Sequence, residues 1–375
     1  MLKHQQGLVG VEGIVDAEQN SLILLLAIFF IIVIFVIFFA FIAYKSSERG
    51  EVDLTEIEKA NSDLKTFKVY FLGWVVEYSS KSVEVYYQQH DKFTWVSPTW
   101  YVIDSNGNVI EKVYDKDFVE KSKKWGVKVL PLVANEGFQA EVCRRIFENE
   151  DIRKKVIEKL LQIVLERGYD GINIDFEGIY PEDRDKFTQF MKELYTVFKK
   201  HGKIVSIDVA AKTSDVKTGW AGPYDYKELG KYTDLFIIMI YDYHWPGGQP
   251  GPISSLDWFE KVLDYALQTV PKEKIVAGIP FYGYDWPASG RAKGLTYVMA
   301  IELAKKYGVK VIFDNKEGEA TFTYTIGWDK HTVWFNIAKS TELRIQIALK
   351  KGVNKIAAWR VGQEDPLTWK VIERP

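Results

Sequence analysis

The sequence predicts an α/β chain: a (β/α)8 barrel with a small α+β insertion between its seventh and eighth strands, preceded by one N-terminal transmembrane helix. Three observations carry this expectation. From Phe67 onward, eight runs rich in β-branched and aromatic residues recur, most of them followed by amphipathic helical stretches. Eight such units over about 310 residues suit a closed barrel better than an open sheet. Ahead of them, Leu22 to Ala43 is an unbroken apolar run, LILLLAIFFIIVIFVIFFAFIA. At roughly 1.5 Å per residue it would span about 33 Å as a helix, enough to cross a bilayer core.

Residues 1–21 form a short tail, 22–43 the anchor, and 44–66 a polar stalk, KSSERGEVDLTEIEKANSDLK being its charged part. The apolar run is longer than the core of a secretory leader, its leading segment is not strongly basic, and no small-x-small cleavage pattern follows it. An uncleaved single-pass anchor is therefore expected. Lys45 and Arg49 follow the run while only Lys3 clearly precedes it, which by the positive-inside rule places the C-terminal side in the cytoplasm.

The barrel should occupy residues 67–375. Its strand runs are KVYFLGWVV, TWVSPTWYVI, VKVLPLVA, GINIDFE, KIVSIDVAA, LFIIMIYDY, KIVAGIPFYGY and NKIAAWRVG. DIRKKVIEKLLQIVLERG, ahead of the fourth run, has a helix's apolar period. Between the seventh and eighth runs lies a helix near Thr296–Tyr307 followed by VKVIFD, ATFTYTI and HTVWF, an antiparallel insertion over about 288–337.

Composition narrows the function. The charges nearly cancel, 49 Lys+Arg against 51 Asp+Glu, so no basic surplus points to a nucleic-acid partner. Cys143 is the single cysteine, which excludes an internal disulfide framework. His4, His90, His201, His244 and His331 are scattered without metal-ligand spacing, and neither a metal nor another cofactor is implied. The 12 Trp and 21 Tyr are consistent with stacking on sugar faces and equally with core packing.

Chemistry concentrates in Asp170-Gly-Ile-Asn-Ile-Asp-Phe-Glu177. In a strand, alternation puts Asn173, Asp175 and Glu177 on one face and Ile172, Ile174 and Phe176 on the other. The apolar trio can bury against outer helices, leaving the polar trio to line the barrel. Glu177 falls at the strand's C-terminal end, where barrel enzymes gather catalytic groups. A neighbouring Asp175 would raise its proton affinity, as a general acid requires. Asp170 has the opposite parity and, with Gly171, reads as structural at the strand's start. Positions two apart lie about 6.6–6.8 Å along a strand on one wall.

DGINIDFE resembles the DGxDxDxE signature of glycoside hydrolase family 18, the chitinase-like family, with Asn173 in place of the second Asp. MIYDYHW, Met239 to Trp245, is similar to its sixth-strand MxYD, and Ala358-Trp359 to its eighth-strand tryptophan. VAAKTSD, GPYDYKELG, YDYHWPGGQPGPI and GIPFYGYDW make the chain most similar to bacterial spore-cortex-lytic and germination-type members. The resemblance implies substrate-assisted hydrolysis with retention, the substrate's own 2-acetamido oxygen attacking the anomeric carbon. It makes Glu177 the general acid/base and Asp175 the anion that orients the acetamide. Tyr241 would hydrogen-bond the acetamide carbonyl, and Trp359 would stack beneath the sugar. Asp242 and Asn173 join the substrate-binding set, as does Met239, although its own chemistry reads as core packing.

The implied substrate is an N-acetylglucosamine-containing glycan: peptidoglycan, spore cortex included, with chitin as the alternative. The other alternative is a membrane-tethered lectin, since silent members of the family bind sugar; lectin-like members typically lose the acid, which here is present as Glu177. A polymer outside the membrane implies a catalytic domain outside the cytoplasm, against the Lys45/Arg49 flank. Trp74, Trp95, Trp100, Trp245 and Trp286 are candidates for outer subsites, with packing the simpler reading of each. Asn135 and Glu136 end the third strand and could line the cleft.

Overall fold

The computed structural model describes residues 30–37 and 52–375, in two compact units. In the first, residues 30–37 are helical, with most of their apolar side chains exposed. The tail and the rest of the expected anchor lie outside the described residues. Among the described residues no helix is long and apolar enough to cross a membrane.

The second unit holds the barrel. Its first strand is Tyr70–Val75. The second run is broken into Trp95–Pro98 and Tyr101–Ile103, and the third into Lys128–Val129 and Leu132–Asn135. Pro131 sits in the second break and has no N–H to give to a ladder. Pairing nevertheless continues across both breaks, Val96 opposite Val129 and Val102 opposite Ala134. Gly171–Asp175, Ile204–Ala210, Leu235–Met239, Ile275–Pro280 and Lys355–Trp359 follow in order. The last of these pairs in parallel with the first, Ile356 opposite Phe71, and closes the ring. All eight runs read from the sequence are strands of this barrel.

Side-chain alternation sorts each strand as the sequence pattern requires. Phe71, Ile172, Ile174, Phe176 and Ile207 face outward into the main core beneath the helices, whereas Leu72, Trp74, Leu132, Ile237 and Ala357 fill the barrel interior. Gly171 is needed at the start of the fourth strand, because a Cβ there would lie 2.1 Å from the Ile204 carbonyl oxygen.

Between the seventh and eighth strands stands a five-stranded antiparallel sheet in the order Lys293–Leu295, Gly283–Pro287, Asp329–Phe335, Glu319–Ile326, Ile312–Asp314, with the helix Tyr297–Tyr307. It starts at Gly283, ahead of the expected 288. Glu319 fastens it to the barrel. Its fully buried carboxylate accepts from the Ile253 and Ser254 N–H groups, both at 2.8 Å, and from Arg344 at 2.5 Å.

Part of the expected stalk is folded. Thr55–Ala60 is a helix that buries Ile57, and the Asn61 amide donates to Asp365 at 2.9 Å. The charged composition masked one apolar anchor and one amide cap whose partners are far away in sequence.

Candidate active site

The C-terminal ends of the barrel strands open into a cleft of about 490 Å³. Asp175, Glu177, Met239, Tyr241, Asp242 and Trp359 all line it, and so do Trp74 and Asp208. Asn173 lies one step deeper, fully buried. Asp170 is outside the cleft, where its carboxylate accepts the Val129 N–H at 2.9 Å and ties two strand starts together.

The backbone under Glu177 is fixed from both sides. Its N–H donates to Asn135 Oδ1 at 2.9 Å, and Asn135 Nδ2 donates back to its carbonyl at 2.9 Å. The Tyr224 hydroxyl holds the preceding Phe176 carbonyl at 2.8 Å. Among the described residues nothing hydrogen-bonds the Glu177 carboxyl itself, so a fixed backbone presents a free acid.

Beneath it, Asn173 Nδ2 donates to Asp208 Oδ2 at 2.7 Å, while its Oδ1 accepts from the Ser206 hydroxyl. An aspartate at 173 would set another carboxyl against Asp208; the amide bridges instead. One oxygen of Asp175 and one of Asp208 are buried without a protein partner among the described residues. Such an oxygen is costly as an anion unless a proton or a ligand meets it.

These contacts set the electrostatics. Burial, then the Asp175 charge and then that of Asp242, push the Glu177 carboxyl well above the usual range. Asp175 is raised by burial and by Asp208, and Asp208 by burial and Glu177, with the Asn173 amide opposing. The group titrates as a coupled set and cannot be fully ionised at once without mutual repulsion.

Tyr241 packs in a half-buried position against Tyr282, ring centroids 6.1 Å apart. Asp242 adopts a left-handed backbone, φ 58°, a region that Asp tolerates better than most residues. The hydroxyls of Tyr282 and Tyr284 donate to its Oδ1, the latter at 2.9 Å. Burial raises its carboxyl and these two hydrogen bonds oppose the rise. Trp359 is half-buried, its ring tilted 64° against Trp74 with centroids 5.9 Å apart.

The outer tryptophans divide. Trp74, itself buried, lines the cleft and Trp245 is 52% exposed, but Trp95, Trp100 and Trp286 are buried residues that do not line it. Trp220, 58% exposed and close to Gly178 beside the acid, was not anticipated. Asp208, Tyr282 and Tyr284 were missed as well. The alternation Ser206, Asp208 against Val205, Ile207, Val209 in KIVSIDVAA was the available signal for the first.

Among known proteins, the chain is similar to the uncharacterized glycosylase YvbX of Bacillus subtilis, 29% identical over 295 residues, 76% of this chain and 85% of that protein. It is 31% identical over 251 residues to the cortical fragment-lytic enzyme of Bacillus anthracis, 65% of this chain but only 58% of that protein's length. The crystal structure of a chitinase from Chromobacterium violaceum superposes with a TM-score of 0.75 at 26% identity, covering 80% of this chain and 97% of the chitinase. The family model described as glycosyl hydrolases family 18 matches residues 36–364, and the chain belongs to that family of hydrolases.

Proposed function

We propose that this protein hydrolyses β-1,4 linkages at N-acetylglucosamine units of peptidoglycan, spore cortex included, by substrate-assisted retaining catalysis. The observation that carries the reading is the placement of Asp175 and Glu177, two residues apart on one wall of the cleft, with the Glu177 acidity suppressed by burial and by the Asp175 charge. In this reading Glu177 gives its proton to the leaving glycosidic oxygen as the substrate's acetamide oxygen closes on the anomeric carbon. The buried, unpartnered oxygen of Asp175 accepts the acetamide N–H and offsets the positive charge of the oxazolinium. Glu177, now a carboxylate, takes a proton from the water that opens the ring. The Tyr241 hydroxyl holds the acetamide carbonyl, Trp359 supports the sugar face, and Asp242 binds substrate beside them.

The likeness to a chitinase structure supports chitin as a second substrate. Incubation with purified peptidoglycan and with chitin, followed by mass spectrometry of the released reducing ends, tests the reading. New N-acetylglucosamine reducing ends from peptidoglycan are expected. Cleavage of chitin alone would transfer the assignment to chitin, and release from neither glycan would refute the glycosidase function. A polymer outside the membrane further places the barrel outside the cytoplasm in this proposal.

A further inference from the structure

Among the described residues two cations line the cleft, Lys112 and Arg360, and they are differently employed. Lys112 is committed: its Nζ lies 3.4 Å from Glu77, whose other oxygen accepts from the Thr99 hydroxyl. Arg360 directly follows Trp359 and is half-buried. Its guanidinium lies 5.2 Å from the centroid of the Tyr78 ring, which is itself 70% exposed. Among the described residues no carboxylate or carbonyl accepts from that guanidinium. Several other arginines find acceptors: Arg153 meets Glu193, Arg167 meets Glu111, and Arg184 meets Asp215 and Asp225. Stacking on Tyr78 uses the face of the guanidinium and leaves its N–H fork unspent.

A neutral glycan offers such a fork only the uncharged oxygens of hydroxyl and acetamide groups. An anionic one gains more from it, because Asp175, Glu177, Asp208 and Asp242 give the cleft an acidic lining that would otherwise repel it. Planar guanidinium matches carboxylate in two parallel hydrogen bonds, which a lysine cannot reproduce. We infer that Arg360, backed by Tyr78, binds a carboxylate carried by the sugar unit next to the one on Trp359, which selects an acidic amino-sugar polymer over neutral chitin. This rests on the glycosidase reading and names its substrate class. The carboxylate can come from an ether-linked lactyl group on the sugar or from a short peptide attached there; the recognition chemistry is the same.

The test separates binding from turnover. In the Glu177→Gln protein, calorimetry compares peptide-stripped glycan chains bearing free lactyl carboxylates with the same chains after reduction of those carboxyls to alcohols. The acidic form should bind about tenfold tighter or more, with a preference that shrinks as salt is raised. Adding Arg360→Gln should bring the ratio near one, and Arg360→Lys should restore part of it. Peptide-bearing chains that outbind stripped ones in an Arg360-dependent manner would assign the carboxylate to the peptide and support the inference. Equal binding of acidic and reduced chains, or a preference that survives Arg360→Gln in a variant with unchanged melting temperature, overturns it. Hydrolysis by the unaltered protein is scored separately. Absence of turnover on every glycan would strike the glycosidase reading, while the binding ratio would still decide the role of Arg360.

Discussion

The Asn135 side-chain amide and the Glu177 backbone form a closed two-bond pair, N–H to Oδ1 and Nδ2–H to carbonyl, each 2.9 Å long. The acid is thereby held by the end of the neighbouring strand as well as by its own. Asn135→Ala should lower kcat by about 10- to 100-fold with a smaller change in KM, since a misplaced proton donor costs more in the transition state than in binding. The same variant should lose about 1–3 kcal/mol of stability, because the Glu177 N–H is left without its acceptor. Steady-state kinetics beside a urea titration would check both, and an unaltered kcat would show that the clamp is dispensable.

Glu177→Gln keeps the shape of the acid and removes its proton. Hydrolysis should fall by about 10²–10⁴-fold while affinity for the glycan is retained. Near-normal turnover would take Glu177 out of the acid role. Binding without any turnover by the unaltered protein would favour a lectin.

The same substitution should alter stability with a defined sign. Burial and the Asp175 charge raise the folded-state Glu177 carboxyl above its unfolded value, so the folded form binds the extra proton. Stability therefore declines as pH rises from about 4, the unfolded value, through the raised folded value, and is flat beyond it. Glu177→Gln should be more stable than the unaltered protein at pH 7, the advantage vanishing below about pH 4. Denaturant midpoints at the two pH values measure this; an equal gain at both would refer it to packing instead of charge.

Both carboxyls stand on one wall, an arrangement suited to an acid and an orienting anion. Substrates lacking the N-acetyl group on the reacting sugar should bind without being cleaved, and a thiazoline mimic of the oxazolinium should inhibit. Peptide mapping after trapping should find no sugar on Asp175. A glycosyl adduct on any Asp or Glu would establish an enzymic nucleophile.

For the proposed placement outside the cytoplasm, protease added to intact cells or forespore-derived vesicles should digest the barrel. Protection until detergent is added would reverse the topology and vindicate the Lys45/Arg49 flank.

The barrel was legible because strand alternation is a local property: Ile172, Ile174 and Phe176 had to face one way and Asn173, Asp175 and Glu177 the other. The same rule, applied to KIVSIDVAA, would have found Asp208. What local patterning could not give was the partnership of residues far apart in sequence. Asn135 and Glu177 are separated by 42 positions, and Tyr282 and Asp242 by 40. Nor could it tell a core tryptophan from a cleft tryptophan. Trp95 and Trp74 lie on neighbouring strands, Trp95 opposite Leu72 in register and Trp74 two residues further toward the open end. Trp74 reaches the cleft; Trp95 sits beside Tyr70 near the strand starts.

The attachment of the inserted sheet decides how freely it can be exchanged. Glu319 receives two backbone N–H groups from the segment after the sixth strand and one arm of Arg344, whose other arm donates to Asn336 at 2.8 Å. Ser254, one of the residues so held, turns its hydroxyl to the Ile240 carbonyl at 2.6 Å, immediately before Tyr241 and Asp242. Excising or swapping the insertion would strand a buried guanidinium and release the segment that carries two site residues. The insertion is thus a keystone and not an ornament: a graft onto another barrel would have to bring Ser254 and Arg344 with Glu319, or arrive with its cleft already undone.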